Sequence, residues 1–264
     1  MKNDIPDQGK TLANTGTRES PSPESAPAQL LAIPEDALIL IPVRNLVLFP
    51  GLVVPIGIGR ESSIAAAQEA ARAGRQIGVL LQRNPDTADP TPDELYRVGA
   101  IASILRYVTA PDGSHHIICQ GEERFRVVEF LDGYPFWVAR VERFHDQHTE
   151  NLEIEARMVQ LKTRTAEIIQ MLPHAPADLA VTTQGITSAA LLTDFVAGVM
   201  DLKSEEKQEV LETFDLQTRM DKVLAFLVHN IEVLRISQDI DQQTKERFED
   251  RQREVLLREQ LKTI

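Results

Sequence analysis

At 264 residues the chain is long enough for one large or two smaller domains, and its 42% hydrophobic content is ordinary for a soluble fold. A formal net charge of −12 argues against nucleic acid as a main partner and disfavours anionic membrane surfaces, since both would repel it. No apolar run approaches the roughly 20 residues that span a bilayer. The first residues lack an apolar signal core, and the single cysteine, Cys119, excludes an internal disulfide and fits a reducing cytoplasm.

Residues 1–35 are rich in Pro, Ser, Thr, Ala and Gln, too polar to offset the entropy of ordering, and are expected to be a disordered tail. A specific docking peptide is the alternative. From residue 36 to 146 the hydrophobic period is mostly two. Apolar residues run to Pro42 and resume at Leu46–Phe49, Pro50-Gly51 forces a turn, and residues 52–58 read as an extended run. Pro55 removes a ladder donor, which places that run at a sheet edge or bulge. Ser62 or Ser63 offers a helix N-cap, Ile64, Ala67 and Ala71 share one helical face, and Gly74 ends the helix.

Residues 76–82 form a short apolar run consistent with a buried strand, and the proline-rich stretch 84–92 reads as a loop. Residues 98–108 place Ile101, Leu105 and Tyr107 on one strand face. Pro111-Asp112-Gly113 has turn chemistry, with 115–120 as the return strand. Residues 124–131 alternate, Phe125 and Val127 against Val128 and Phe130. So do 137–142, Trp137, Ala139 and Val141 against Val138, Arg140 and Glu142. Many short strands joined by turns predict an α+β fold that opens with a small β-barrel-like domain bearing one helix.

The period then changes. Residues 152–236 read as an all-helical subdomain. Ile154, Met158, Leu161, Thr165, Ile168 and Leu172 follow helical spacing up to Pro173. Leu192, Phe195, Val196 and Val199 form a second stripe capped at Thr187 or Ser188. Ser204-Glu205-Glu206 starts a short helix with carboxylates at its positive end, and Asp215 caps the next, whose core face runs from Met220 to Leu234. Residues 237–264 continue the helix with a thinned stripe, Ile240, Phe248, Leu256 and Leu261 among charges, as in a long coiled-coil-type arm. That arm meets no Gly, Pro or polar stop by Ile264, so the sequence is expected to be the N-terminal piece of a longer protein or a prematurely ended reading frame.

Motifs of catalysis are missing from this pattern. Gly9-Lys10-Thr11 lacks the first glycine of a P-loop, since position 4 is Asp4. Gly57-x-Gly59-x-x-Ser62 lacks the third glycine of a dinucleotide fingerprint and an acid after the next strand, so it reads as a tight turn. His145-x-x-His148 has a possible metal spacing but reads as a solvated loop. His115 and His116 point to opposite strand faces, and Cys119 reads as a small buried residue. There is no Gly-x-Ser-x-Gly elbow and no His-Glu-x-x-His. No catalytic, cofactor-binding or metal residue is therefore assigned.

Four segments, in order, resemble the N-terminal region of the bacterial Lon family of ATP-dependent proteases. They are Phe49-Pro50-Gly51 with Val54-Pro55 and Gly59-Arg60-Glu61-x-Ser63; Asp93-Glu94-Leu95-Tyr96-Arg97-Val98-Gly99-Ala100-Ile101-Ala102 with Pro111-Asp112-Gly113 and Gly121-x-x-Arg124-Phe125; the run from Lys203 to Glu212; and the ending from Arg253 to Ile264. The resemblance implies a cytoplasmic region that recognises misfolded and regulatory polypeptides, supports a homohexamer and precedes an ATPase module and a Ser-Lys protease. ATP and Mg would bind only in that downstream module. Leu46, Leu48, Phe49, Arg60, Glu61 and Ser62 are the candidate polypeptide contacts. The alternative is a freestanding polypeptide-binding module of the same type without a protease partner.

Overall fold

The structure, a computed structural model, describes residues 32–146, 151–172 and 177–262. Residues 1–31 of the expected tail, with Gly9-Lys10-Thr11, lie outside those residues, as do His148 and Pro173, whereas Ile33 near the expected tail's end packs against the barrel core. Six strands curl into one mixed sheet: β1 (Ala37–Val43), β2 (Val53–Ile58), β3 (Ile77–Leu81), β4 (Val98–Thr109), β5 (His115–Leu131) and β6 (Trp137–Phe144). The strand order is β2-β5-β4-β3-β1-β6, and a further pairing of β5 with β6 closes the last five strands into a ring. β1 and β3 run parallel, and the intervening β2 and the helix α1 (Glu61–Ala73) form the crossover that parallel pairing demands. Every other pair is antiparallel.

β5 is the long element, and it serves both β2 through residues 115–120 and β6 through residues 124–131. The two runs read separately from sequence are one continuous strand. Ile101, Leu105 and Tyr107 do not share a face. Register shifts at Ile101/Ala102 and Ile104/Arg106 twice reset the alternation of β4. Ile101 packs with Leu40, Leu80 and Phe125, Tyr107 packs against the cluster under α1, and Leu105 is 54% exposed.

Helix α1 covers that second cluster through Ala66, Ala67 and Ala70. Its N-cap is Arg60 rather than Ser62 or Ser63, and Ala71 is exposed, so the buried face is displaced by a residue from the expected one. Gly74 ends the helix in the left-handed conformation, as its lack of a Cβ allows.

Five further helices follow: α2 (Leu152–Met171), α3 (Ala177–Gly185), α4 (Ala189–Val199), α5 (Ser204–Leu211) and α6 (Leu216–Lys262). Asn151 caps α2 through Ile154 N–H at 2.8 Å, and Ser188 accepts from Leu191 N–H at α4. Asp215 caps α6 by accepting from Thr218 N–H at 2.9 Å. Ile154, Leu161 and Ile168 of α2 meet Met220, Val223, Leu227 and Ile231 of α6, and Val47, Phe49, Leu81 and Val98 from the barrel join the same core. Past Leu234, α6 carries Ile236, Ile240 and Phe248 in solvent.

A buried ionic cluster joins barrel to helices. Arg124 of β5 forks onto Asp194 of α4, with Nη2 to Oδ1 at 2.6 Å and Nη1 to Oδ2 at 2.9 Å. Its Nε donates to Leu211 O at 3.1 Å, and Nη1 also reaches Asp146 Oδ2 at 3.1 Å. Arg219 of α6 donates to Asp146 Oδ1 at 2.7 Å and to Thr213 O at 3.2 Å, and lies 3.5 Å from Asp194. Arg124, Asp194 and Arg219 are almost fully buried. Nearby, Gln208 donates to Val98 O at 2.9 Å, fastening α5 to β4.

Glycine makes the junction close. Gly51 has φ +79°, and a Cβ there would lie 2.1 Å from Leu191 Cδ1 of α4. A Cβ on Gly121 would meet Phe49 O at 2.3 Å, while Gly51 N–H donates to Gly121 O at 2.8 Å and Gly121 N–H to Leu52 O at 2.9 Å. The Pro50-Gly51 turn and the Gly121 segment are thus one structural feature.

Asp194→Ala is expected to cost roughly 3–5 kcal/mol, because it leaves two buried arginines with Asp146 as their one remaining carboxylate. Phe49→Ala should cost a similar roughly 3–5 kcal/mol by leaving a cavity in the shared core. Urea unfolding of each variant against the parent protein reads both values, and a loss below about 1 kcal/mol, the level of an exposed ion pair, would contradict the burial argument for that site.

Candidate functional site

The residues singled out from sequence separate into two environments. Leu48 and Phe49 are 1% and 0% exposed, the first packed under the barrel and the second in the core shared with the helices. An arriving polypeptide could touch neither without opening the fold, so both are corrected to core residues. Val47, Leu48 and Phe49 form no strand, and all three are buried.

Leu46, Arg60, Glu61 and Ser62 gather where the backbone enters α1. Leu46 is half-buried and lines a groove of about 550 Å³ with Pro42, Ile56, Ile58 and Arg60. On the other side of Arg60, Ser62 lines a second hollow of about 350 Å³ with Asp89, Tyr134 and Trp137. Glu61 is exposed between them.

Arg60 itself is engaged. Its Nε donates to Ala88 O at 2.5 Å, Nη1 to Pro42 O at 3.2 Å, and Nη2 to Gln82 Oε1 at 2.5 Å and Thr87 O at 3.3 Å. Buried Gln82 then donates to Asn84 O at 2.5 Å and Thr87 O at 3.1 Å. The loop after β3 is thereby pinned to the barrel mouth through one guanidinium. Glu94 finishes the loop by accepting from Thr91 N–H at 2.8 Å, which holds its carboxyl below the usual range.

Other chemistry-bearing groups are committed to structure. Burial pushes the Cys119 thiol up to about 12, far from the thiolate a nucleophile needs. His115 Nδ1 sits 2.9 Å from Tyr107 Oη. At the β4–β5 turn, Ser114 Oγ lies 2.7 Å from Asp112 Oδ1 and 3.2 Å from His116 Nε2. These three are the residue types of a hydrolase triad, but the carboxylate holds the hydroxyl rather than the imidazole, on an exposed turn. Among the described residues, no group of three or more His, Cys, Asp and Glu could hold a metal ion. No helix among them is long and apolar enough to cross a membrane.

Apolar surface lies where sequence reading did not place it. β2 pairs with β5 alone, so its other edge is free of strand pairing among the described residues. The outward face of the β2-β5-β4 ribbon carries Val53 at 53% exposure, Pro55, half-buried Ile118 and exposed Val108, with Leu105 beside them. A second apolar groove, about 670 Å³, runs between α2 and α6 along Val159, Leu224 and Val228. The signal for the ribbon is the presence of apolar residues on both faces of a strand. The bulges that expose Leu105 leave no mark in the sequence.

A curled mixed sheet with a crossover helix is fastened through buried charge to a helical unit with a long terminal helix, and apolar surface stays open on the ribbon face and between α2 and α6. Over residues 37–229 the sequence matches the family model described as the ATP-dependent protease La (LON) substrate-binding domain, and the protein belongs to that family. It is 45% identical over 258 residues to the Lon protease of Methylocella silvestris, covering 97% of this chain and 32% of that protein. It is 46% identical over 233 residues to that of Phenylobacterium zucineum, covering 88% and 29%. The chain thus spans about a third of the length of these relatives. The solved N-terminal domain of Mycobacterium avium complex Lon protease superposes with a TM-score of 0.60 at 21% identity, covering 73% of this chain and 98% of that one. The Lon N-terminal domain protein of Xanthomonas campestris gives 0.53 at 19% identity, covering 72% and 97%. At these identities the two structures speak to the fold, which they share.

Arg60→Ala should release the loop after β3. Amide hydrogen exchange across residues 84–91 is expected to quicken by about tenfold or more, the effect of losing a charge-assisted hydrogen bond network, while α2 and α6 keep their protection. Unchanged exchange in that loop would show that Arg60 is dispensable there.

Proposed function

We propose that this protein is the substrate-recognition region of a Lon-like ATP-dependent serine protease that degrades misfolded and regulatory proteins in the cytoplasm. The observation that carries the reading is its membership, over residues 37–229, of a family described as a substrate-binding domain. Open apolar surface supports it. The ribbon face around Val53, Pro55, Leu105 and Val108, together with Leu46, Arg60, Glu61 and Ser62 at the α1 entry, offers contacts to extended, non-native polypeptide.

Each contact is weak alone. Several copies held in one ring, a homohexamer in the full-length protein, multiply it through effective concentration. Self-association would draw on α6, whose exposed Ile236, Ile240 and Phe248 suit a helix pairing with another helix. Hydrolysis of ATP and of peptide bonds belongs to separate modules, since this sequence contains neither a P-loop pattern nor a nucleophile constellation. The negative charge disfavours nucleic acid and anionic membranes as partners of this region.

The test is a titration with a reduced and alkylated globular protein beside its native form. The protein is expected to bind the unfolded form selectively, with micromolar or weaker affinity, and to hydrolyse neither ATP nor casein. Val53→Asp combined with Leu105→Asp should weaken that binding while changing stability by no more than about 0.5 kcal/mol, as exposed sites allow. Equal affinity for native and unfolded forms, or turnover above a contaminant control, would overturn the reading.

A further inference from the structure

The groove beside Leu46 has features that an apolar polypeptide contact does not use. It ends at the N-terminus of α1, a helix of 13 residues whose N-cap residue, Arg60, makes no capping bond with its own side group. The first hydrogen bond into the helical ladder is Ile64 N–H to Arg60 O at 2.9 Å. The N–H groups of Glu61, Ser62 and Ser63 therefore lie ahead of the ladder, at the positive end of the helix dipole.

A second observation is independent of the helix end. Ser63, which lines the same groove, is 3% exposed, and its Oγ is buried without a hydrogen-bond partner. A buried hydroxyl without a partner costs stability and calls for an explanation. Ser63 bounds the groove beside the free N–H groups, so this hydroxyl is a donor and acceptor left unused at the helix end.

Charge around the groove is cationic. Arg44 lines it, is exposed, and makes no hydrogen bond or ion pair among the described residues. Arg60 lines it as well, with its donors mostly turned to backbone carbonyls and Gln82. Burial, and after it the proximity of Arg44, holds the Arg60 guanidinium below its ordinary value, while Asp89 acts the other way. Two like charges at one helix N-terminus are an arrangement that an anion would relieve. Opposite them, Leu46, Ile56 and Ile58 form an apolar wall.

We propose that the groove at the N-terminus of α1, bounded by Arg44, Arg60 and Ser63 and walled by Leu46, Ile56 and Ile58, is a binding site for a carboxylate borne on an extended peptide beside an apolar side group. The inference rests on the polypeptide-recognition reading and gives it a chemical preference. In a protein of net charge −12, a local cationic site admits acidic segments that the field of the whole molecule would otherwise repel. Oxyanions are held at helix N-termini by the same combination of free N–H groups and dipole.

The carboxylate has two sources, the C-terminus of a peptide or the side group of an Asp or Glu within it, and the experiment separates them. Fluorescent peptides of one Ala-, Leu- and Ser-containing sequence are titrated in three forms: a free C-terminus without acidic residues, an amidated C-terminus with one Glu, and an amidated C-terminus with Gln in its place. At least one carboxylate form is expected to bind about tenfold tighter than the neutral form, the worth of one charge-assisted hydrogen bond. Which form gains identifies the source.

Arg44→Ala and Ser63→Ala should each erase most of that gain without lowering the thermal midpoint, because Arg44 is exposed and Ser63→Ala removes an unpartnered hydroxyl. Acetate, titrated alone, should shift the amide resonances of Glu61, Ser62 and Ser63 in the parent protein, and those of Glu61 and Ser62 should not shift in Ser63→Ala. Peptides that all bind equally, or a carboxylate gain that survives both substitutions, would overturn the site while leaving polypeptide recognition intact. Absence of binding by any peptide would count against polypeptide recognition itself, and the acetate shifts would then decide the anion site alone.

Discussion

The structure turns on the fork between Arg124 and Asp194. A guanidinium and a carboxylate this deeply buried cannot be left apart, because each alone in a low-dielectric interior costs several kcal/mol. β5 and α4 are therefore committed to one another. The same guanidinium takes the carbonyl of Leu211 at the end of α5, and Asp146, just after β6, bridges it to Arg219 of α6. Two arginines and two aspartates balance in charge, so the cluster is neutral only when strand, loop and both helices are in place. Such a cluster adds little net stability over an apolar core of the same volume. What it adds is selection of one docking geometry, since every slipped arrangement leaves a charge unpaired.

Close packing depends on the same junction. Phe49 can fill the shared core because the turn at Pro50-Gly51 brings the backbone against Gly121, three residues before Arg124. Aromatic burial, the tight turn and the ionic fork occupy adjacent layers of one interface. The surfaces left open, the β2-β5-β4 ribbon and the α1 entry, are borne on a frame whose rigid side faces the helices. The open apolar surfaces and the long helix are thereby joined through one packed body.

Much of this is legible in the amino-acid order. Period two and the turn residues mark the barrel, and helical spacing with caps at Ser188 and Asp215 marks α4 and α6. The Phe49-Pro50-Gly51 and Gly121-x-x-Arg124-Phe125 segments point to one family before any fold is known, and the structure shows that they touch. What escapes has physical causes. Helix α3 is hidden because its Ala-, Thr- and Gly-containing sequence has almost no amphipathic contrast. The α1 cap is hidden because serine propensity at the helix start is overridden by Arg60, whose hydrogen bonds to the distant loop fix the entry. Leu105 and Phe130 defy the alternation because bulges break it locally, Phe130 joining the side of Phe125 and Val127. Asp194 does carry a signal: it is one acid in the stripe between Leu192 and Val196, where an uncompensated charge would not be tolerated. The candidate contacts are the least legible, since an apolar residue beside a turn reads the same whether it closes a core or meets a ligand, and Leu48 and Phe49 do the former.

If the buried fork governs the fold, barrel and helices unfold as one. The protein has a single tryptophan, Trp137, on β6 with its ring 5.6 Å from that of Phe130. Its fluorescence reports the barrel, while far-UV circular dichroism is dominated by α2 to α6. Both followed through one urea titration should give coincident midpoints and slopes. Helical signal lost at a clearly lower urea concentration than tryptophan fluorescence, or the reverse, would show that the two parts stand independently and that the ionic junction does not couple them.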